Sequence, residues 1–111
     1  MIQDKTLIGH GLKCDLKALG ITHPWYRIRD TTKFPAYTHI KGEPQKKPQA
    51  RKLRDLAIEH LNLTIQDGNH CPIEDATAAL ELYKINYRKW ENLVKYNIRK
   101  TNRLLNGTKK Y

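Results

Sequence analysis

The sequence predicts an α/β domain, and three observations predict it. A short apolar stretch, Thr6-Leu7-Ile8-Gly9, stops at His10-Gly11 and runs straight into leucines at helical spacing. A second short extended stretch follows at residues 27–32. Two further helical patterns, over 50–61 and from Pro72 to Trp90, occupy much of the rest. A strand, a glycine-rich turn and a helix in succession form an α/β signature.

Each element has its own local logic. Thr6 to Gly9 reads as a buried strand. Leu12, Leu16 and Leu19 form the stripe of the first helix, which Gly20 ends as a left-handed C′ residue. His23-Pro24 opens a loop. Arg27-Ile28-Arg29-Asp30-Thr31-Thr32 reads as a short strand whose charges suit a sheet edge. Phe34 to Pro48 has no periodicity and is expected as a long exposed loop. Leu53, Leu56, Ala57 and Leu61 make the apolar stripe of the next helix, with Arg51, Lys52 and Arg54 toward solvent. Gln66-Asp67-Gly68-Asn69 is a turn cluster, and Pro72 suits a first helical position. Ala76, Ala79, Leu80, Tyr83, Tyr87 and Trp90 then predict one long amphipathic helix, which the basic segment 95–103 extends. Residues 104–111 are expected to fray. The expectation is two strands and three main helices, with a domain over 1–94 and a basic tail over 95–111.

Bulk properties narrow the function classes. A chain of 111 residues has room for one domain. No apolar run reaches the roughly 18 residues a membrane span needs. The start at Met1 lacks the charge and apolar pattern of a signal peptide, so secretion is not expected. Cys14 and Cys71 sit in no C-x-x-C pair and read as two reduced thiols rather than zinc ligands. The net charge is +10, unevenly spread: residues 84–111 carry nine Lys or Arg and a single acid, Glu91. A basic end on a nearly neutral body suits a polyanionic partner, with a merely solvated tail as the alternative.

The candidate chemistry lies at element boundaries. Asp15 stands in the first helix, five residues beyond His10. His70 and Asp75 flank the start of the long helix. In α/β sheets, ligand sites form at such ends. Two carboxylates with an imidazole suit metal-assisted hydrolysis. Spacing alone leaves the other reading open, in which Asp15 is a helix-terminus partner and His70 a solvated loop residue.

Gly9-His10-Gly11-Leu12-Lys13-Cys14-Asp15-Leu16 resembles the second motif of the DEDDh 3′–5′ exonucleases, G-H-x-L-x-x-D-L. Arg29-Asp30-Thr31 resembles the R-D-T strand that follows it. His70-Cys71-Pro72-Ile73-Glu74-Asp75-Ala76 resembles the third motif, H-x4-D-A. The order and spacing are similar to the RNA-exonuclease Rex and interferon-stimulated exonuclease branch, from about Thr6 to Trp90. The resemblance implies a ribonuclease-H-like fold and a site using Mg²⁺ or Mn²⁺. It implies His70 as general base, Asp75 as metal ligand and Asp15 as the second-motif carboxylate acting with the metal. His10 is implied as a structural residue at the strand end with a place beside the substrate. Single-stranded RNA 3′ ends are the implied partner, with DNA open, and the nucleus or nucleolus the implied location, the cytoplasm otherwise.

One departure from the family pattern matters. The first motif, D-x-E on an apolar strand, occurs nowhere in the sequence. The chain is therefore expected to represent the C-terminal part of the fold, with the N-terminal half of the sheet missing. A two-metal site needs several carboxylates, so Asp15 and Asp75 alone should bind the ion weakly and support little activity. The open strand edge invites pairing with a second copy or another chain.

Three readings stand side by side. In the first, an exonuclease, Lys41, Lys46, Lys47, Arg51, Lys52 and Arg54 steer the phosphate backbone. In the second, a non-catalytic nucleic-acid-binding module, the basic tail carries affinity. Trp25, Tyr26, Phe34 and Tyr37 then serve as stacking surfaces, unless they pack inside. In the third, the chain is a piece of a longer protein.

Overall fold

The computed structural model describes residues 5–39, 49–66, 68 and 70–106. Strand β1 (Leu7–Gly9) leads into helix α1 (Leu12–Ala18). Strand β2 (Ile28–Asp30) follows a 3₁₀ turn at Trp25–Arg27, and a second 3₁₀ turn lies at Pro35–Tyr37. Helices α2 (Leu53–Leu61), α3 (Pro72–Ile85) and α4 (Tyr87–Asn106) complete the order. β1 and β2 are parallel, with Leu7 opposite Ile28, Ile8 opposite Arg29 and Gly9 opposite Asp30. That is the topology a strand–helix–strand crossover produces.

The core does not sit on the sheet. It lies among α2, α3, the start of α4 and the 3₁₀ turn at Pro35–Tyr37. Tyr37, Leu56, Ile65 and Leu82 are almost fully enclosed there. Trp90 of α4 stacks on Phe34, with centroids 4.2 Å apart and planes 16° apart. Phe34, Tyr37 and Thr38 are therefore buried rather than the opening of an exposed loop, with Pro35 and Ala36 at the surface; residues 40–48 of the expected loop lie outside the described residues. Pro35 presets the backbone of this turn, and the aromatic pair flanking it supplies the burial.

The expected long helix is two helices, and Tyr37 explains the break. In a continuous helix the Asn86 N–H would donate to the Leu82 carbonyl. The buried Tyr37 hydroxyl takes that carbonyl instead, at 2.5 Å, and accepts from Asn86 Nδ2 at 2.7 Å. The Asn86 N–H turns to Tyr83 O, and Asn86 O accepts from the Trp90 N–H at 2.9 Å, starting α4. A side chain inserted into the hydrogen-bond ladder is a recognised cause of a helix bend. The apolar stripe of α3 is also rotated from the expected one. Ala78, Ala79 and Leu82 are buried, whereas Ala76 and Leu80 are exposed. The reason is that α3 packs against both α2 and β1, so its buried face is set by two neighbours. The basic segment 95–103 is the continuation of α4, which runs to Asn106.

β2 organises its surroundings through alternate side chains. Arg29 and Asp30, expected as edge charges, are both buried. Arg29 reaches α4: its Nε and Nη2 donate to Glu91 Oε2 and Oε1 at 2.7 and 3.0 Å. Glu91 Oε2 also accepts from the Tyr83 hydroxyl at 2.8 Å. Asp30 reaches the start of α1, accepting from Gly11 N at 2.8 Å and Leu12 N at 2.9 Å. Gly11 is left-handed, with φ 78°, a conformation that favours glycine and lets both N–H groups face one carboxylate. Successive strand residues point to opposite faces, so this tripeptide ties α1 to α4.

Candidate active site

The C-terminal end of β1 and the starts of α1 and α3 open onto one cleft of about 800 Å³. His10, Asp15, His70 and Asp75 all line it, as do Lys52 and Arg54. Four groups separated by up to 65 positions in sequence thus share one wall system. Strand ends of a parallel sheet are where such clefts form.

Each side chain is placed by a local device. Asp15 lies in the first turn of α1 and is exposed. Asp75 lies in the first turn of α3, where its N–H donates to Cys71 O at 2.9 Å and Pro72 begins the helix. Its Oδ1 accepts from Gln66 Nε2 at 3.0 Å. Gln66 adopts φ 58°, unusual for a residue with a side chain, and its N–H is held by Glu74 Oε1 at 3.0 Å. Gln66 is thus a positioning residue for Asp75. His70 is open to solvent, with Nδ1 3.9 Å from Asp75 Oδ2, an ion-pair distance rather than a hydrogen bond.

His10 is held differently. Its Nδ1 is 2.6 Å from Thr31 Oγ1. Burial pushes its pKa below the ordinary histidine value, against the opposing pull of Asp30, the Arg51 backbone and Asp75. Burial thus favours the neutral form of the His10 imidazole at the cleft wall. Asp30 behaves in the opposite sense. Burial alone would raise its pKa, but hydrogen bonds from Thr32, Gly11 and Leu12 outweigh it and hold the carboxyl below its ordinary value.

The cationic residues divide. Lys52 and Arg54 are exposed at the cleft. Arg51 is instead ion-paired with Glu59 and hydrogen-bonded to His39 O. Lys41, Lys46 and Lys47 lie outside the described residues. Of the four aromatics considered as stacking surfaces, Phe34 and Tyr37 are buried, and Trp25 and Tyr26 are partly exposed as an edge-to-face pair.

The donor set does not by itself fit a divalent-ion site. Among the described residues, no group of three or more His, Cys, Asp or Glu side chains is arranged to hold a metal. Asp75 already shares one oxygen with Gln66. A hard dication fills much of its shell of about six oxygens with water, so two carboxylates, one of them shared with Gln66, hold it only weakly.

No protein-family model matches the chain. The chain is 38% identical to human RNA exonuclease 4 over 97 residues, 86% of the chain and 21% of that protein. It is 40% identical to RNA exonuclease 4 of Aspergillus fumigatus over 101 residues, 89% of the chain and 31% of that protein. Among solved structures it superposes on the Pan2 pseudoubiquitin hydrolase–RNA exonuclease module of Saccharomyces cerevisiae in complex with AAGGAA RNA. The TM-score is 0.61 at 35% identity, covering 92% of the chain and 16% of that module. It also superposes on the Neurospora crassa Pan2 catalytic unit, with TM-score 0.60 at 26% identity over 87% of the chain and 15% of that unit.

The chain is similar, in sequence and in fold, to part of the DEDDh-type exonuclease superfamily. It carries the C-terminal part of the ribonuclease-H-like exonuclease fold, here two parallel strands and four helices. It spans about a fifth of the length of the human relative. Three residues outside the candidate site set gain structural roles. Asp30 caps α1, Thr31 holds His10, and Gln66 holds Asp75. For Asp30 and Thr31 the R-D-T tripeptide was a usable signal. For Gln66 the only signal was its place in a turn cluster.

Proposed function

We propose that the chain supplies the C-terminal half of a 3′–5′ exonuclease site that removes nucleotides from single-stranded RNA, with water as the attacking group. The observation that carries this reading is the arrival of Asp15, His70 and Asp75 at one cleft, beside Lys52 and Arg54. The names of the relatives, RNA exonuclease 4, and the RNA present in the yeast Pan2 module support it.

In this reading His70, open to solvent, accepts the proton of the attacking water, as an imidazole can near neutral pH. The Asp75 carboxylate stands beside it, with Oδ2 3.9 Å from His70 Nδ1. Lys52 and Arg54 draw the RNA backbone to the cleft. We further propose that the complete domain depends on Mg²⁺ or Mn²⁺ on the side of Asp15 and Asp75. The chain alone would hold such an ion weakly and turn over little RNA. Nuclear or nucleolar residence is proposed with it, and imaging of a tagged chain tests that separately.

The test is incubation of the purified chain with 5′-labelled single-stranded RNA, with and without Mg²⁺ or Mn²⁺. The expected result is trace, metal-dependent shortening from the 3′ end that disappears in Asp75→Ala and His70→Ala. Rapid shortening by the chain alone would overturn the half-site reading. Shortening that persists in Asp75→Ala would overturn the site assignment. A second reading, RNA binding without hydrolysis, is favoured by the basic surface of α4. Salt-sensitive binding with no shortening in either metal selects it.

A further inference from the structure

The cleft uses few of the chain's cations, and among the described residues the largest remaining group lies on α4. Arg88, Lys95, Arg99 and Arg103 recur at helical steps along one line of the helix, and all are exposed. Lys89 and Lys100 flank that line, with the exposed Tyr96 between them. From residue 88 to residue 103 the row is about 22 Å long at the α-helical rise. Neither Arg88, Lys89, Arg99, Lys100 nor Arg103 enters an ion pair among the described residues. The helix's one acid, Glu91, is engaged by Arg29 and Tyr83.

The opposite face of the first half of α4 is anchored. Trp90 is buried against Phe34, and Leu93 and Val94 pack on the same cluster. The helix is therefore fixed to the body with its cations outward. A basic amphipathic helix can also lie on an anionic membrane, but it must then offer its apolar face to the lipid. Here the first half of that face is spent on the core. Tyr87 and the pair Leu104–Leu105 are exposed at the two ends of the helix, and between them runs the row of cations beside Tyr96, which is the chemistry of a phosphate backbone with a base to stack.

We propose that the outward face of α4 is a second, sequence-independent RNA-binding surface that holds the body of the strand outside the cleft. This rests on the reading that the substrate is RNA. Because Arg29 binds α4 and its neighbour Asp30 binds α1, β2 fixes the angle between this surface and the helix that carries Asp15. RNA held on α4 thus has a set direction relative to the cleft.

The test measures binding of the full chain to a fluorescent oligouridylate as a function of salt, in Mg²⁺-free buffer, so that hydrolysis does not enter. The triple variant Arg99→Ala/Lys100→Ala/Arg103→Ala removes cations beyond the last core contact, and circular dichroism checks that helicity is kept. The expected log–log salt slope falls in magnitude by about 2, since each phosphate contact on a single strand contributes about 0.7. The charge-conserving Arg99→Lys/Arg103→Lys variant should keep the slope. An unchanged slope in the triple variant overturns the proposal, even if the exonuclease assay succeeds. Loss of binding in the triple variant upholds it, even if no shortening is ever seen. Binding to anionic phosphatidylserine vesicles in preference to the oligouridylate overturns it in favour of a membrane surface. A Tyr96→Ala variant that weakens binding without altering the slope assigns the stacking part to Tyr96, and an unchanged affinity removes that part.

Discussion

The two sides of this molecule are built to different standards. The helical side, α2 with α3 and the start of α4, encloses Tyr37, Leu56 and Leu82 completely. The sheet side encloses far less. α1 buries none of its residues, and its leucine stripe ends at Leu19 with 71% of its surface exposed. Both stretches have the same kind of amphipathic pattern. The difference is that three helices and an aromatic turn can surround a side chain, whereas a two-stranded sheet covers one face of one helix only in part. The candidate site lies on the seam between them. Its Asp75 stands on the well-packed side and its Asp15 on the open one.

That contrast can be broken by truncating each side in turn. Trp90→Ala removes the ring stacked on Phe34 and should cost about 3–5 kcal/mol in urea unfolding, enough to threaten the fold. Glu91→Gln should cost about 2 kcal/mol, because Arg29 is left buried without its counter-charge; the partial exposure of Glu91 keeps the loss below that of a fully enclosed pair. Its signature is a loosened α4, seen as faster amide exchange beyond Trp90.

Asp30→Asn tests what holds the open side. The Asp30 carboxyl has a depressed folded-state pKa, so it contributes stability at pH above its ordinary value of 3.8 and loses it as pH falls through the lower folded value. The variant should be about 1–2 kcal/mol less stable at neutral pH and should show a flatter acid limb than the parent in urea midpoints below pH 4. Tyr37→Phe sharpens the comparison within the packed side. It should cost only about 1 kcal/mol, because the Leu82 carbonyl it abandons can accept the Asn86 N–H again. Far-UV circular dichroism should show helicity kept or slightly raised. Leu19→Ala, the counterpart of Trp90→Ala, should change stability by no more than about 0.5 kcal/mol.

Much of this was legible in the chain. The α/β class, the positions of both strands, the end of α1 at Gly20 and the start of α3 at Pro72 followed from turn residues and periodicity. These are short-range effects that few neighbours can override. The candidate site was legible as residue types at element ends, with the motif resemblance ordering them. What could not be read was who partners whom. The charges of Arg29 and Asp30 suit a sheet edge, and β2 is an edge strand, yet both are buried with partners 62 and 18 positions away. Gln66 looked like one more turn residue, and only its hydrogen bond to Asp75 gives it a role.

The amino-acid order by itself determined where helices and strands can begin and stop, and which acids and imidazoles stand at their ends. It could do so because caps, glycines and prolines act over a single turn of backbone. Only the tertiary structure decided that Tyr37 divides the last helix in two, that β2 joins α1 to α4, and that His10, Asp15, His70 and Asp75 face one cleft. Those outcomes depend on which distant group reaches a buried polar atom first, and a buried donor or acceptor left without a partner costs too much for the chain to leave the choice open.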